Sequence, residues 1–140
     1  MQRDPRLRGL SSDHHHALVL AQRLERLAEA GRADAEVARR LAERFDRDLE
    51  PHFAVEEELL LPGLEQAGDD VLVARTRADH AFLRDCATAA RAGRTDELVP
   101  FARRLAEHVR FEERELFPRC EEILVDSLLD EVARRVPKES

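Results

Sequence analysis

Two stretches of this sequence place a histidine and a glutamate four positions apart. His52 precedes Glu56, and His108 precedes Glu112. Residues at this spacing lie on one face of an α-helix, so each stretch presents an imidazole beside a carboxylate. Mixed ligands of this kind suit iron, with manganese and zinc as alternatives. The spacing therefore predicts a metal site assembled from two helices.

The two stretches belong to a longer internal repeat. Each histidine is followed at matching distances by two glutamates, a leucine, a proline and a further glutamate, namely Glu56, Glu57, Leu60, Pro62 and Glu65 in the first copy and Glu112, Glu113, Leu116, Pro118 and Glu121 in the second. An Asp-His pair also precedes each copy, at residues 13–14 and 79–80. These correspondences indicate a helix pair that is present twice.

The Asp-His pairs supply one further histidine to each copy. The stripe that carries His80 is formed by Val73, Thr76, Leu83 and Ala87. In the first helix three adjacent histidines compete, and the apolar stripe extends back to the first of them. We therefore favour His14 as the ligand, with His15 as the next choice and His16 after it.

The apolar periodicity places these histidines and glutamates on the faces that point into the core. An unpaired buried carboxylate costs several kcal/mol, and a charged one costs more. A pair of metal cations would balance two buried carboxylates among four histidines. The predicted metal ligands are His14, His52, Glu56, His80, His108 and Glu112. Glu57 and Glu113 are rotated by about 100° around their helices, and we expect them to support the ligands or to face solvent.

The elements that must position these residues are helices. Composition and periodicity predict an all-α protein, an up-down-up-down four-helix bundle with a short C-terminal helix. The 140 residues suit a single domain over 1–140. Ser11, Ser12 or Asp13 would cap the first helix, and Gly31 would end it near residue 30.

The proline positions shape the expected ends of the other helices. The second helix would begin after residue 34, kink or break at Pro51, and end or distort at Pro62. A third would run from residue 69 or 70 to Arg91, and a fourth would begin at residue 95 or 96. Pro118 would interrupt the fourth helix, and a short apolar helix would follow it.

Charge and hydropathy exclude several classes of partner. The net charge of −7, without a basic stripe, argues against nucleic-acid binding. No apolar run approaches the ~20 residues that span a bilayer, and the charged N-terminal segment lacks the apolar centre of a signal peptide. We expect a cytoplasmic protein without a membrane partner, which exists as a monomer or a homodimer. The sequence does not indicate which effector protein it would act on.

With these residues in hand, the sequence resembles the hemerythrin-like, HHE cation-binding family over residues of about 10–125. The resemblance rests on the Asp-His pair at His14, His52 with Glu56, the Asp-His pair at His80, and His108 with Glu112. It implies a four-helix bundle that holds two iron ions, bridged by carboxylates and by an oxo or hydroxo group. The family's ligand pattern would make Glu56 and Glu112 the bridges, with about two histidines for each iron.

The sequence departs from the oxygen-carrying hemerythrins at two positions. Where they have a second histidine one turn after the third-helix histidine, this chain has Arg84. Where they have an aspartate five residues after the last histidine, this chain has Glu112 at four. This set of four histidines and two glutamates resembles regulatory or sensory domains more closely than oxygen carriers.

The resemblance implies a non-heme di-iron protein that binds or senses oxygen, nitric oxide or peroxide, or that handles iron. The alternative is a di-iron enzyme with peroxidase-like or oxidase-like activity, or with iron-sulfur repair activity. We favour a role in binding or sensing over catalysis, and we assign no catalytic residue. A metal-free or zinc-containing structural bundle is the third interpretation.

Overall fold

The computed structural model describes residues 2–137, which are mainly helical and contain no strand. Five helices follow one another along the chain: α1 (Arg8–Glu29), α2 (35–66), α3 (Asp70–Arg91), α4 (98–123) and α5 (Asp126–Arg135). A 3₁₀ turn over Pro5–Leu7 precedes α1. The all-α prediction is confirmed, including the short helix at the C-terminal end.

The first four helices form a bundle in which neighbouring helices run in opposite directions. The cross-helix pairs that fix this order are Glu25–Arg103 and His14–Glu112 between α1 and α4, Asp46–Arg91 and Glu65–Arg77 between α2 and α3, and Asp79–Arg104 and Asp69–Arg119 between α3 and α4. In each pair of helices, an early residue of one contacts a late residue of the other. The order is therefore up-down-up-down, as short connections require.

The first helix begins earlier than predicted. It starts at Arg8, so residues 11–13 lie inside it and cap nothing. The start signal lies further upstream, where Asp4 accepts a hydrogen bond from the backbone N–H of Arg6 and Pro5 opens the 3₁₀ turn. Leu7 and Leu10 are fully buried, and this burial extends the helix beyond the region that polar caps suggested.

Three prolines, Pro51 and Pro62 in α2 and Pro118 in α4, do not end their helices. Each of the three follows a five-residue π-helical segment: Phe45–Leu49 before Pro51, Glu56–Leu60 before Pro62, and Glu112–Leu116 before Pro118. The backbone N–H of the residue before each proline closes the wide turn, as when the N–H of Leu61 binds the carbonyl oxygen of Glu56. The wide turn makes room for a ring that would clash with an ordinary helical turn. The predicted interruption at Pro118 was wrong, since α4 continues to Ile123.

The remaining helix ends lie close to the predicted positions. Gly31 and Gly93 adopt φ of 70° and 83° just after α1 and α3, the left-handed conformation in which a helix commonly stops. The fourth helix begins at Leu98, two or three residues later than predicted. The preceding residues form a turn instead, in which the N–H of Leu98 binds the carbonyl oxygen of Thr95.

The apolar core is divided into two clusters. One contains Leu24, Leu41, Phe45, Phe101 and Leu105, and the other contains Leu7, Leu60, Leu64, Phe117 and Leu129. The helix α5 packs on the N-terminal 3₁₀ turn and on the second π-helical segment, which adds it to the second cluster. A layer of buried histidines and glutamates lies between residues of the two clusters. Among the described residues, none of the helices has the length and apolar character needed to cross a membrane.

Candidate metal centre

The six residues that the sequence singled out as ligands meet in one buried layer. None of them is more than 4% exposed, and both glutamates are completely inaccessible to solvent. One histidine comes from each of α1, α2, α3 and α4, and one glutamate comes from each of α2 and α4. Six polar side chains in an apolar interior require partners for every nitrogen and oxygen.

The donor atoms form two groups that share both glutamates. His14 and His52 lie with Glu56 and Glu112 in the first group, and His80 and His108 lie with the same glutamates in the second. Within each group, one ligand atom from every residue lies within 4.8 Å of all the others. Each group therefore has the size and the donor types of a metal-ion site, and the shared carboxylates link the two.

The Nε2 atoms of the four histidines face the shared carboxylates. His14 Nε2 lies 2.8 Å from Glu112 Oε1, and His80 Nε2 lies 3.0 Å from Glu56 Oε1. On their own helices, His52 Nε2 is 3.1 Å from Glu56 Oε2, and His108 Nε2 is 3.3 Å from Glu112 Oε2. Four imidazoles thus converge on two carboxylates, which is the arrangement that bound cations would hold together.

Two of these atoms test whether the site suits a metal. His108 Nε2 and Glu112 Oε2 are buried and have no hydrogen-bond partner of acceptable geometry among the described residues. A buried donor or acceptor left without a partner costs about 1–3 kcal/mol. A cation between the imidazole and the carboxylate would satisfy both atoms. The donor set and these two atoms therefore fit a metal ion.

The other ring nitrogen of every histidine also binds a carboxylate. From Nδ1, His14 donates to Glu113 at 2.7 Å, His80 to Glu57 at 2.6 Å, His52 to Asp13 at 2.9 Å and His108 to Asp79 at 2.8 Å. A carboxylate on Nδ1 fixes the orientation and tautomer of an imidazole and leaves Nε2 free for a metal. All four imidazoles are therefore turned in the same sense, with Nε2 inward.

The contacts around His80 have counterparts around His14, although only Glu57 and Glu113 occupy equivalent positions of the internal repeat. The ring of Phe53 stacks on His80 at 3.9 Å, and Arg84 binds Glu57 while lying over that phenyl ring. The equivalent set on the other side consists of Phe117 stacked on His14 at 5.1 Å, with Arg3 bound to Glu113 and lying over Phe117. Each of these two imidazoles is thus held at its edge and on one face.

The surrounding carboxylates raise the pKa values of His14, His52 and His108 above the usual value. Burial lowers the pKa of His108, but the charge of Glu112 and the hydrogen bond to Asp79 raise it to about 10. The pKa values of His14 and His52 are raised in the same way, against the effect of burial. Burial raises the pKa of Glu112, but the charge of His108 and the hydrogen bonds around it bring it well below the usual value. The metal-free layer therefore holds protons on imidazoles beside ionised carboxylate.

Of the three adjacent histidines of α1, His14 is the one that lies in the buried layer. The side chain of His14 points into the layer, whereas His15 and His16 are exposed.

Glu57 and Glu113 contact the histidines, which is one of their two predicted roles. Asp13 was predicted as a cap, and its bond to His52 was missed.

Asp13 and Asp79 bind histidines of the layer, which reasoning from the sequence did not identify. The available signal was the Asp-His pair that occurs in both copies of the repeat. In each copy the aspartate binds the histidine of the other helix in the repeated pair, and not the histidine beside it in the sequence. This exchange depends on helix packing, so spacing alone could not show it.

The fold and the site together define a helical bundle with a buried cluster of histidine and glutamate suited to cations. The sequence matches the model of the hemerythrin HHE cation binding domain over residues 7–120. This match covers most of the chain, and the protein belongs to that family. A comparison with curated proteins found no match, and neither did a comparison with solved structures.

Proposed function

We propose that this protein binds two iron ions within the histidine–glutamate layer and uses them to bind or sense oxygen, nitric oxide or peroxide, or to handle iron. The observation that carries the proposal is the pair of four-residue donor groups that share Glu56 and Glu112. Two cations that share two carboxylates neutralise the buried negative charge, and membership of a cation-binding family supports the same conclusion.

Each residue of the layer has a defined task in this proposal. His14 and His52 hold one ion, His80 and His108 hold the other, and the glutamates bind between them. Bound iron would supply redox chemistry and coordination positions that six protein ligands leave open. Phe53 and Phe117 restrict water beside the imidazoles, since both are buried against ligand rings.

The carboxylates that bind the imidazoles would connect the centre to the surface of the bundle. Glu57 and Glu113 hold the Nδ1 protons of His80 and His14, and Arg84 and Arg3 hold those glutamates in turn. A change at the metals would therefore move along these contacts towards the surface of the bundle. A movement of these side chains would alter the packing of the helices that carry them, and a sensory role requires a conformational change of this kind.

A di-iron enzyme with peroxidase-like, oxidase-like or iron-sulfur repair activity is the second candidate. It is favoured by a cavity of about 440 Å³ whose lining includes Asp13 and His52. A cavity of this size beside a ligand could admit a small substrate. Turnover of a candidate substrate by iron-loaded protein would support the enzyme, and binding without turnover would favour the sensor.

The test is anaerobic purification followed by iron quantitation and optical spectra with and without oxygen. We expect about two irons per chain, as in carboxylate-bridged helix bundles, with charge-transfer absorption that changes when oxygen is added. His14→Ala should lower the iron content, whereas the matched change His15→Ala, at the exposed neighbour, should leave it unchanged. Normal iron content in both Glu56→Ala and His108→Ala, with helicity retained, would contradict the proposal.

A further inference from the structure

The four carboxylates that hold the Nδ1 atoms differ in their own partners. Three of them bind arginines: Glu113 binds Arg3, Glu57 binds Arg84, and Asp79 binds both Arg75 and Arg104. The fourth, Asp13, forms an ion pair with His52 alone among residues 2–137. The internal repeat is therefore broken at the aspartates, since the two occupy equivalent positions and have different surroundings.

Exposure separates the same two aspartates. The side chain of Asp79 is completely buried, whereas that of Asp13 is 33% exposed. Arg75 and Arg104 cover Asp79 and lie over the rings of Phe111 and Phe82. The half of the layer that contains His80 and His108 is thus closed by aromatic rings and by two positive charges.

The exposed aspartate lies at the wall of the cavity of about 440 Å³. The cavity lies between α1 and α2, next to the end of α5, and its inner wall includes Ala17, Leu20 and His52. The three arginines on its lining are each paired with an acid, since Arg44 and Arg47 both bind Asp48, which also lines the cavity, and Arg135 binds Glu58. A cation that moves through this cavity would meet a carboxylate next to the histidine layer.

We infer that the two metal positions exchange with solution at different rates. The ion held by His14 and His52 enters and leaves through the cavity beside Asp13, and the ion held by His80 and His108 is retained. This inference rests on the proposed function and deepens its iron-handling branch. The physical basis is that the way past Asp13 opens into a cavity whose arginines are each paired with an acid. The way past Asp79 is fully buried, and there two guanidinium groups, which repel a cation, share one carboxylate.

Retention of one ion has a consequence for what the protein can do. The retained ion keeps the shared glutamates and two histidines in place, so the labile position stays formed when it is empty. A pre-formed site binds its ion without the cost of ordering the ligands again. The protein could therefore take up and release one ferrous ion while the bundle keeps its structure.

The test uses protein loaded with ferrous iron under anaerobic conditions and mixed with an excess of the coloured chelator ferrozine. We expect release in two phases of equal amplitude, one fast and one slow. Ala17→Leu extends a side chain into the cavity and should slow only the fast phase. The expected slowing is about tenfold, which corresponds to a barrier raised by about 1.4 kcal/mol.

The control for this variant lies in a second cavity. That cavity, of about 410 Å³ between α1 and α4, is lined by Ala106 and Leu18 and by none of the six layer residues. Ala106→Leu should leave both phases unchanged. If Ala17→Leu does not fold, Leu20→Phe replaces it, with Leu18→Phe as its control.

The outcomes separate this inference from the proposed function. Two irons per chain that leave in a single phase, or a fast phase that Ala17→Leu and Leu20→Phe do not slow, would overturn unequal exchange and leave the di-iron site intact. Equal slowing by Ala106→Leu would also overturn it, because access would not depend on the cavity beside Asp13. Failure to bind two irons would overturn both proposals.

Discussion

At the scale of single residues, each layer histidine is defined by what holds its two ring nitrogens. The sequence predicted His52, Glu56, His108 and Glu112 from spacing, because residues one turn apart share a helix face whatever the rest of the fold does. It did not predict the Nδ1 partners. These depend on which helices pack together, as the bond from His52 to Asp13 shows.

Arg84 illustrates a residue whose role depends on a chain of contacts. Its guanidinium binds Glu50 and Glu57, and Glu57 in turn binds His80. We predict that Arg84→Gln lowers iron affinity by about 10-fold to 100-fold, as loss of an outer partner commonly does. A competition titration against a chelator measures this change. The control is Arg91, which lies on the same helix as Arg84 and forms an exposed ion pair with Asp46 of α2. Arg91→Gln removes this pair and should leave the iron affinity unchanged.

The raised pKa values predict that metal binding releases protons. In the metal-free protein the pKa of His108 is about 10, so its imidazole is protonated at neutral pH, and a metal can bind Nε2 only after that proton leaves. Iron affinity should therefore rise as the pH increases towards 10. The raised pKa also stabilises the metal-free fold fully below the ordinary value of 6.5, and this contribution is lost as the pH rises through about 10.

Calorimetry in two buffers with different ionisation enthalpies measures the proton release. At about pH 8, the apparent binding enthalpy should differ between the buffers in proportion to the protons released. Equal enthalpies in both buffers would show that the imidazoles are already neutral, and this result would contradict the charge state described for the layer.

At the scale of helices, the wide turns are the feature that the sequence did not reveal. Prolines in α2 and α4 suggested breaks, because a proline removes one helical hydrogen bond and crowds the preceding turn. The π-helical segments solve both problems within a continuous helix. Two of them begin at Glu56 and Glu112, so the wide turns start at the shared carboxylates themselves. Such segments are frequent at functional sites.

This coincidence predicts that Pro62 helps to orient Glu56. Replacement by alanine supplies an N–H group and removes the ring, so an ordinary turn becomes available and the carboxylate is held less firmly. We expect Pro62→Ala to lower iron affinity by about tenfold with helicity retained, as measured by chelator competition and circular dichroism. Pro100→Ala is the control, since Pro100 lies in the first turn of α4, where a proline fits a helix. Unchanged affinity in Pro62→Ala would separate the wide turn from the site.

At the scale of the whole molecule, the bundle could be predicted because a repeated helix pair with short connections has few ways to pack. The position of α5 was less predictable, because it depends on close approaches that the sequence does not mark. Gly9 in α1 is one of them. A Cβ atom built there would lie 1.8 Å from the carbonyl oxygen of Val136, just beyond the end of α5.

Gly9→Ala should therefore displace the segment after α5. Alanine favours the helix by up to about 1 kcal/mol, but the backbone clash should outweigh this and lower the free energy of unfolding by about 1–3 kcal/mol. Gly63→Ala is the matched control, because its Cβ would lie 2.4 Å from a terminal methyl carbon of Leu124, at the end of a flexible side chain that can move aside, and would meet no backbone atom of another segment. Urea unfolding of both variants measures the difference, and a Gly9→Ala protein as stable as the control would contradict the close packing.

The most direct test of the central claim is anomalous X-ray diffraction at the iron edge from crystals of iron-loaded protein. Two anomalous peaks should lie within the layer, one beside His14 and His52 and the other beside His80 and His108, with Glu56 and Glu112 between them. Peaks outside this layer, or a single peak at full iron occupancy, would contradict a shared two-metal centre.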